Sequence, residues 1–137
     1  MNKAERIRVL VEHLRREGLQ PRVNQYDVVI FEQQSNAFLV ILDDEDPTYY
    51  RLVYPDFQRV RPGAELDRAV LASYAVVRRV KAARTWVEGE KVFAGVDLFC
   101  SSIEELCRVL PRAVSAVAGG VEEFNVAYRA GAPGENK

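Results

Sequence analysis

The sequence predicts an α+β domain with element order α-β-β-β-α-β-β-α, an antiparallel five-stranded sheet packed with three helices. Three observations carry this prediction. Residues 26–54, YDVVIFEQQSNAFLVILDDEDPTYYRLVY, form three short apolar runs separated by two polar turns, the signature of an antiparallel meander. Three other segments repeat their apolar residues at three- and four-residue spacing, as amphipathic helices do. The 137 residues are the length of one domain, enough to bury roughly two thirds of the unfolded surface without staples.

Residues 2–17 open the chain as a helix, with Ala4, Ile7, Leu10, Val11 and Leu14 on one stripe and Gly18 as its stop. Arg6, Glu12, His13 and Arg16 fall off that stripe, which predicts a solvated outer face. Pro21 and Arg22 lead into the meander. Its turns are carried by Gln33, Gln34, Ser35 and Asn36, and by the acidic run Asp43, Asp44, Glu45, Asp46 before Pro47. Alternation within the strands is weak. Val28 and Ile30 are matched by Val29 and Phe31, and Phe38, Val40 and Leu42 by Leu39 and Ile41, so both faces of the sheet call for cover.

After Tyr54, Pro55 and Asp56 begin a connection through Pro62 and Gly63. A second helix follows at about residues 64–79, with Leu66, Ala69, Val70, Ser73 and Val77 on one side, widened by Tyr74 and Val76. Glu88-Gly89-Glu90 is a hairpin turn between strands at residues 83–87 and 92–99. There Val92, Ala94, Val96 and Leu98 face one way, and Phe93, Gly95, Asp97 and Phe99 the other. Gly95 marks a bulge or a close backbone approach. Ser102 and Glu105 make a capping box that starts the last helix. Its stripe runs from Leu106 through Leu110, Ala113, Val117, Val121 and Phe124 to Tyr128. Pro111 and the pair Gly119-Gly120 predict a kink or break in it. The domain is expected to span residues 1–130, with a flexible tail at 131–137.

Composition narrows the function. The formal net charge of −1 does not fit a dedicated nucleic-acid or anionic-membrane binder. Charge is uneven, however: residues 58–84 hold seven basic side chains against Glu65 and Asp67, and the acidic pole is the turn at 43–46. Two cysteines, Cys100 and Cys107, are too few for a disulfide framework and fit reduced thiols in a cytoplasm. The first residues lack the continuous apolar core of a signal peptide, and no run approaches a membrane span.

No catalytic constellation emerges. His13 is the sole histidine, which excludes a histidine-centred triad within one chain. The acidic turn lacks the alternation and sixth-position glycine of a calcium loop, so no metal or cofactor is expected. Cys107, near a helix start, has apolar sequence neighbours and reads as core. Arg78, Arg79, Lys81 and Arg84 form a basic patch near Trp86, but no nucleic-acid module accompanies them and a nucleic-acid partner is not expected. Tyr49, Tyr50, Tyr54 and Trp86 are candidates to line a ligand groove.

The element order, with AVLASYAVVRRVKAARTWVEGEKVFAGVDLFCSSIEELCRVLPRAV as helix, short hairpin and capped final helix after the meander FEQQSNAFLVILDDEDPTYYRLVY, resembles the YbjN family, which has the type III secretion chaperone-like fold. The resemblance implies a small non-enzymatic homodimer that binds proteins or peptides, chaperone-like or adaptor in character and regulatory in role. The two-sided apolar strands and the separated charged segments also suit a self-complementary contact. The expected partner-binding residues are Val29, Phe31, Leu39, Ile41 and Trp86. The alternative is a small-ligand-binding regulatory domain with an aromatic-lined pocket.

Overall fold

The computed structural model describes residues 1–133. The expected tail therefore lies mostly outside the described residues. The element order is α1 (Lys3–Arg16), β1 (Arg22–Val23), β2 (Val29–Gln33), β3 (Asn36–Leu42), β4 (Tyr49–Arg59), α2 (Ala64–Arg79), β5 (Arg84–Glu88), β6 (Lys91–Phe99) and α3 (Ile103–Ala130). All six strands form one sheet in the order β1-β2-β3-β4-β6-β5, with every neighbouring pair antiparallel. The class is α+β as expected, with one strand more. The addition is β1, two residues pairing Arg22 with Ile30 and Val23 with Val29, too short to leave a pattern in sequence.

The other departures have local causes. β4 does not end at Tyr54 but continues to Arg59, because a register shift between Tyr54 and Gln58 absorbs Pro55, and Asp56 takes a positive φ of 48°. Proline is tolerated where a bulge removes the ladder bond it lacks. α3 is continuous over 28 residues with Pro111 inside it. Its glycine pair is not a break. Gly120 is a packing residue, since a Cβ there would stand 3.2 Å from the Cβ of Ala83. Ser102 caps α3 as read, with the Glu105 N–H donating to Ser102 Oγ at 3.1 Å, but the returning Glu105 carboxylate accepts from the Ser101 N–H, one residue before the cap.

All three helices cover one face of the sheet. That face carries Val29, Phe31, Phe38, Val40, Leu42, Tyr50, Leu52, Ala94 and Val96, buried against Leu10 and Leu14 of α1 and Leu106, Leu110, Ala113 and Val117 of α3. A second cluster joins Ala69, Ala72 and Val76 of α2 to Val60, Val92, Phe124 and Tyr128. α3 runs through both.

α1 corrects one expectation and α2 another. Arg6, assigned to the solvated side, is only 6% exposed. In α2 the buried face is the small one, Ala69, Ala72 and Val76, whereas Val70, Leu71, Tyr74 and Val77 are exposed. Because α2 is apolar nearly all round, periodicity cannot choose its inner face. The face that packs against Val60, Val92, Phe124 and Tyr128 is the one with the small side chains.

Candidate functional site

No helix among the described residues covers the opposite face of the sheet. Register puts Arg22, Ile30, Leu39, Val53, Gly95 and Arg84 in one row across six strands, with Ile41, Arg51 and Asp97 in the next row but one. Ile30, Leu39 and Ile41 are partly buried and belong to neither core cluster. They form an apolar strip on a pleated surface.

Trp86, on the edge strand β5, reaches inward over this face. A Cβ on Gly95 would meet the indole carbons Cη2 and Cζ3 at 3.1 and 3.2 Å, and the Leu52 carbonyl oxygen at 2.8 Å. The close backbone approach expected at Gly95 is the one to the Leu52 carbonyl, and the missing side chain also makes room for the indole, which the sequence did not foretell. Phe93 stacks against Trp86 with centroids 5.8 Å apart and planes 12° apart. The guanidinium carbons of Arg84 and Arg51 stand 4.7 and 5.6 Å from the indole centroid. Such cation–π contacts hold cations beside an aromatic face without neutralising them.

Asp97 organises both arginines. Arg51 Nε donates to it at 3.2 Å and Arg84 Nη2 at 3.1 Å. Burial raises the Asp97 pKa, but the Arg84 charge and hydrogen bonds from Tyr49, Arg84 and Arg51 outweigh that, and its carboxyl lies below the usual aspartate range. Tyr49, on the same face, is pushed up by burial and then by its neighbour Asp97. The face thus offers apolar strip, aromatic platform and fixed charge.

The five expected partner residues divide between two faces. Leu39, Ile41 and Trp86 are on the open face. Val29 and Phe31 are not: they are 0% and 1% exposed and sit under α1 and α3. The reason is register. Val29 pairs with Val40 and Phe31 with Phe38, so β2 and β3 share faces in a way that neither strand alone reveals. Ile30 and Val53 are the open-face residues the sequence expectation omitted, and Arg51, Arg84 and Asp97 are its charges.

The aromatic candidates divide likewise. Tyr50 is wholly buried, Tyr54 packs 5.4 Å from Phe38 on the helix side, and only Tyr49 and Trp86 reach the open face. The basic patch disperses: Arg79 pairs with Glu123 at 3.2 Å, Arg78 lies over Tyr74, and Arg84 turns to Asp97. The acidic turn is occupied by its own backbone, with Asp43 accepting from the Glu45 and Asp46 N–H groups and Asp46 from Thr48. His13 reaches Glu17 at 3.9 Å. Burial raises the thiol pKa of both Cys100 and Cys107, with nearby Glu105 and Glu104 adding to it.

Two further surfaces border the site. β5 pairs with β6 only as far as Arg84 with Gly95, so Val96, Asp97, Leu98 and Phe99 have no strand on that edge. The Cys100 N–H donates to the Thr48 carbonyl at 2.8 Å, in phase with Leu98 opposite Tyr50. Even-numbered β6 residues therefore bond β4, and the backbone groups of Asp97 and Phe99 point to the open edge. Beside that edge is a groove of about 560 Å³ floored by Val96, Leu98, Val109, Ala113 and Ala116, with Lys81 and Arg112 at its rim. The second surface is the stripe Val70, Leu71, Tyr74 and Val77 on α2, where Leu71 is 69% and Tyr74 62% exposed. Asp67 and Arg78 flank it at the two ends.

No helix among the described residues is long and apolar enough to cross a membrane. In comparisons with known proteins the chain matches no family model, and no curated protein is significantly similar to it.

Proposed function

We propose that this protein is a non-enzymatic binder of extended protein or peptide segments, a chaperone-like or adaptor domain akin to the YbjN-like proteins. The observation that carries the proposal is the one-sided cover of the sheet. Three helices lie on one face, and the other retains Ile30, Leu39 and Ile41 beside the Trp86 platform. An apolar strip of this kind, edged by charge, is a surface for a partner. The free edge at Asp97 and Phe99 supports an extended partner in particular, since an added strand satisfies backbone groups as well as placing alternate side chains.

A homodimer is part of the proposal. Antiparallel pairing of α2 with its copy about a two-fold axis brings Leu71 against Tyr74 of the second copy and Asp67 against Arg78, because each pair is symmetric about the same point of the helix. An apolar centre with opposite charges at its ends is self-complementary, as a two-fold contact requires. The partner and the second copy then use different surfaces.

The test compares the proteins retained from a native lysate by the wild-type chain and by Ile41→Asp, identified by mass spectrometry, with circular dichroism on both. Loss of a discrete partner from a folded Ile41→Asp variant is the expected result. An identical retained set refutes the open face as the binding surface. The second reading, a small-ligand regulatory domain, is favoured by the apolar groove under Lys81 and Arg112, and small molecules retained by wild type but not by Ala113→Trp would support it.

A further inference from the structure

Arg6 is a buried cation without an anion. It is 6% exposed, forms no ion pair among the described residues, and has only two long contacts: Nη1 donates at 3.4 Å to the Pro47 carbonyl and at 3.4 Å to the Tyr50 hydroxyl. Its Nε has no partner. A charge taken out of water is stable only when something compensates it, and an aromatic face 5.8 Å away does so weakly.

Next to Arg6 is a cavity of about 250 Å³ lined by Pro47, Tyr50, Ser101, Ser102, Ile103 and Glu104, with Met1 at its mouth. This cavity opens on the N-terminus of α3, a 28-residue helix. The first-turn N–H groups of Ile103 and Glu104 have no partner within the helix, and the dipole adds partial positive charge there. Ser102 Oγ accepts from the Glu105 N–H, which leaves its own hydroxyl proton free to donate outward. Guanidinium, hydroxyl and helix-end donors therefore converge on one small space; of the two first-turn carboxylates, Glu104 is exposed and Glu105 accepts from the Ser101 N–H and hydroxyl.

We infer that this cavity is a binding site for a compact tetrahedral oxyanion of the phosphate-monoester class, held by Arg6, Ser102 and the first turn of α3. The inference is independent of the peptide-binding proposal, because the cavity lies on the helix side of Tyr50 rather than on the open sheet face. The anion supplies the charge that Arg6 lacks, and its several acceptor oxygens suit donors arriving from three directions.

The test is thermal unfolding of the full chain, titrated with inorganic phosphate or with acetate at matched ionic strength, with amide chemical shifts recorded alongside. Phosphate should raise the melting temperature saturably and move the Ile103 and Glu104 amide resonances, as linkage requires of a ligand that binds only the native state. Arg6→Met should remove that response while melting no lower than wild type in phosphate-free buffer, since it deletes an uncompensated charge. Arg6→Lys should keep a weakened response, which guards against a folding defect in the methionine variant. Glu104→Gln should tighten binding roughly two- to threefold by removing an exposed like charge. No phosphate response, an equal response to acetate, or a response that survives Arg6→Met overturns the inference.

Discussion

Gly95→Ala tests the geometry of the open face most directly. The new Cβ would lie 2.8 Å from the Leu52 carbonyl oxygen and 3.1 and 3.2 Å from two indole carbons of Trp86. The first contact is with backbone inside a paired ladder, which cannot swing aside. The other two are with a ring that can only lift off the sheet. Overpacking of this kind costs about 1–3 kcal/mol, which for a chain of this size lowers the melting temperature by roughly 3–12 °C. Trp86 is the one tryptophan in the chain, so intrinsic fluorescence reports its surroundings without labelling. Emission should move to longer wavelength as the indole becomes hydrated. Gly119→Ala is the control, because a Cβ there meets nothing within 4 Å. In mid-helix it should stabilise by about 0.5–1 kcal/mol. The same chemical change thus has opposite signs at two glycines. Unchanged emission and melting in Gly95→Ala would refute the placement of the indole on the strand backbone.

Three more expectations follow from the same geometry. Leu71→Asp should leave circular dichroism and low-concentration melting intact yet give a monomer by light scattering at tens of micromolar; a wild type already monomeric there would remove α2 as an interface. Phe31→Asp should unfold the domain or cost several kcal/mol, since it buries an unpaired carboxylate under α1 and α3, whereas Ile41→Asp should retain native circular dichroism. Acid should reach the open face through Asp97. Its folded carboxyl lies below the ordinary value of 3.8, so its contribution to stability is complete above that value and is lost as pH falls through the lower folded one. Trp86 fluorescence should therefore change below about pH 4, and Asp97→Asn should not show that transition.

Much of the architecture was legible in the sequence because it is written in local signals. Turn residues bounded the meander, Glu88-Gly89-Glu90 marked the hairpin, and Ser102 with Glu105 marked the start of α3. The clean alternation from Val92 to Phe99 even assigned the two faces of β6 correctly. What was not legible depends on pairing between distant residues. Leu39 and Ile41 were rightly grouped with each other but wrongly with Val29 and Phe31, since only the β2–β3 register decides which pleats coincide. The inner face of α2 was hidden by its apolar surround, and it shows only in which side chains pack against Val60, Val92, Phe124 and Tyr128. Arg6 was misplaced for a third reason: a lone cation beside an apolar stripe carries no mark of burial until the β3–β4 turn folds over it.

α3 passes from one core to the other and so ties their stabilities together. Leu106 to Val117 belong to the cluster under the meander, Phe124 and Tyr128 to the cluster with α2. Between them fall Gly119 and Gly120, each a weaker helix former than alanine. Val121, beyond the pair, still packs against the first cluster, and Phe57 of β4 packs against both. At 1.5 Å per residue the helix is a spine of roughly 42 Å along which the two clusters overlap, so a side chain cut from either one loosens an element that the other also depends on.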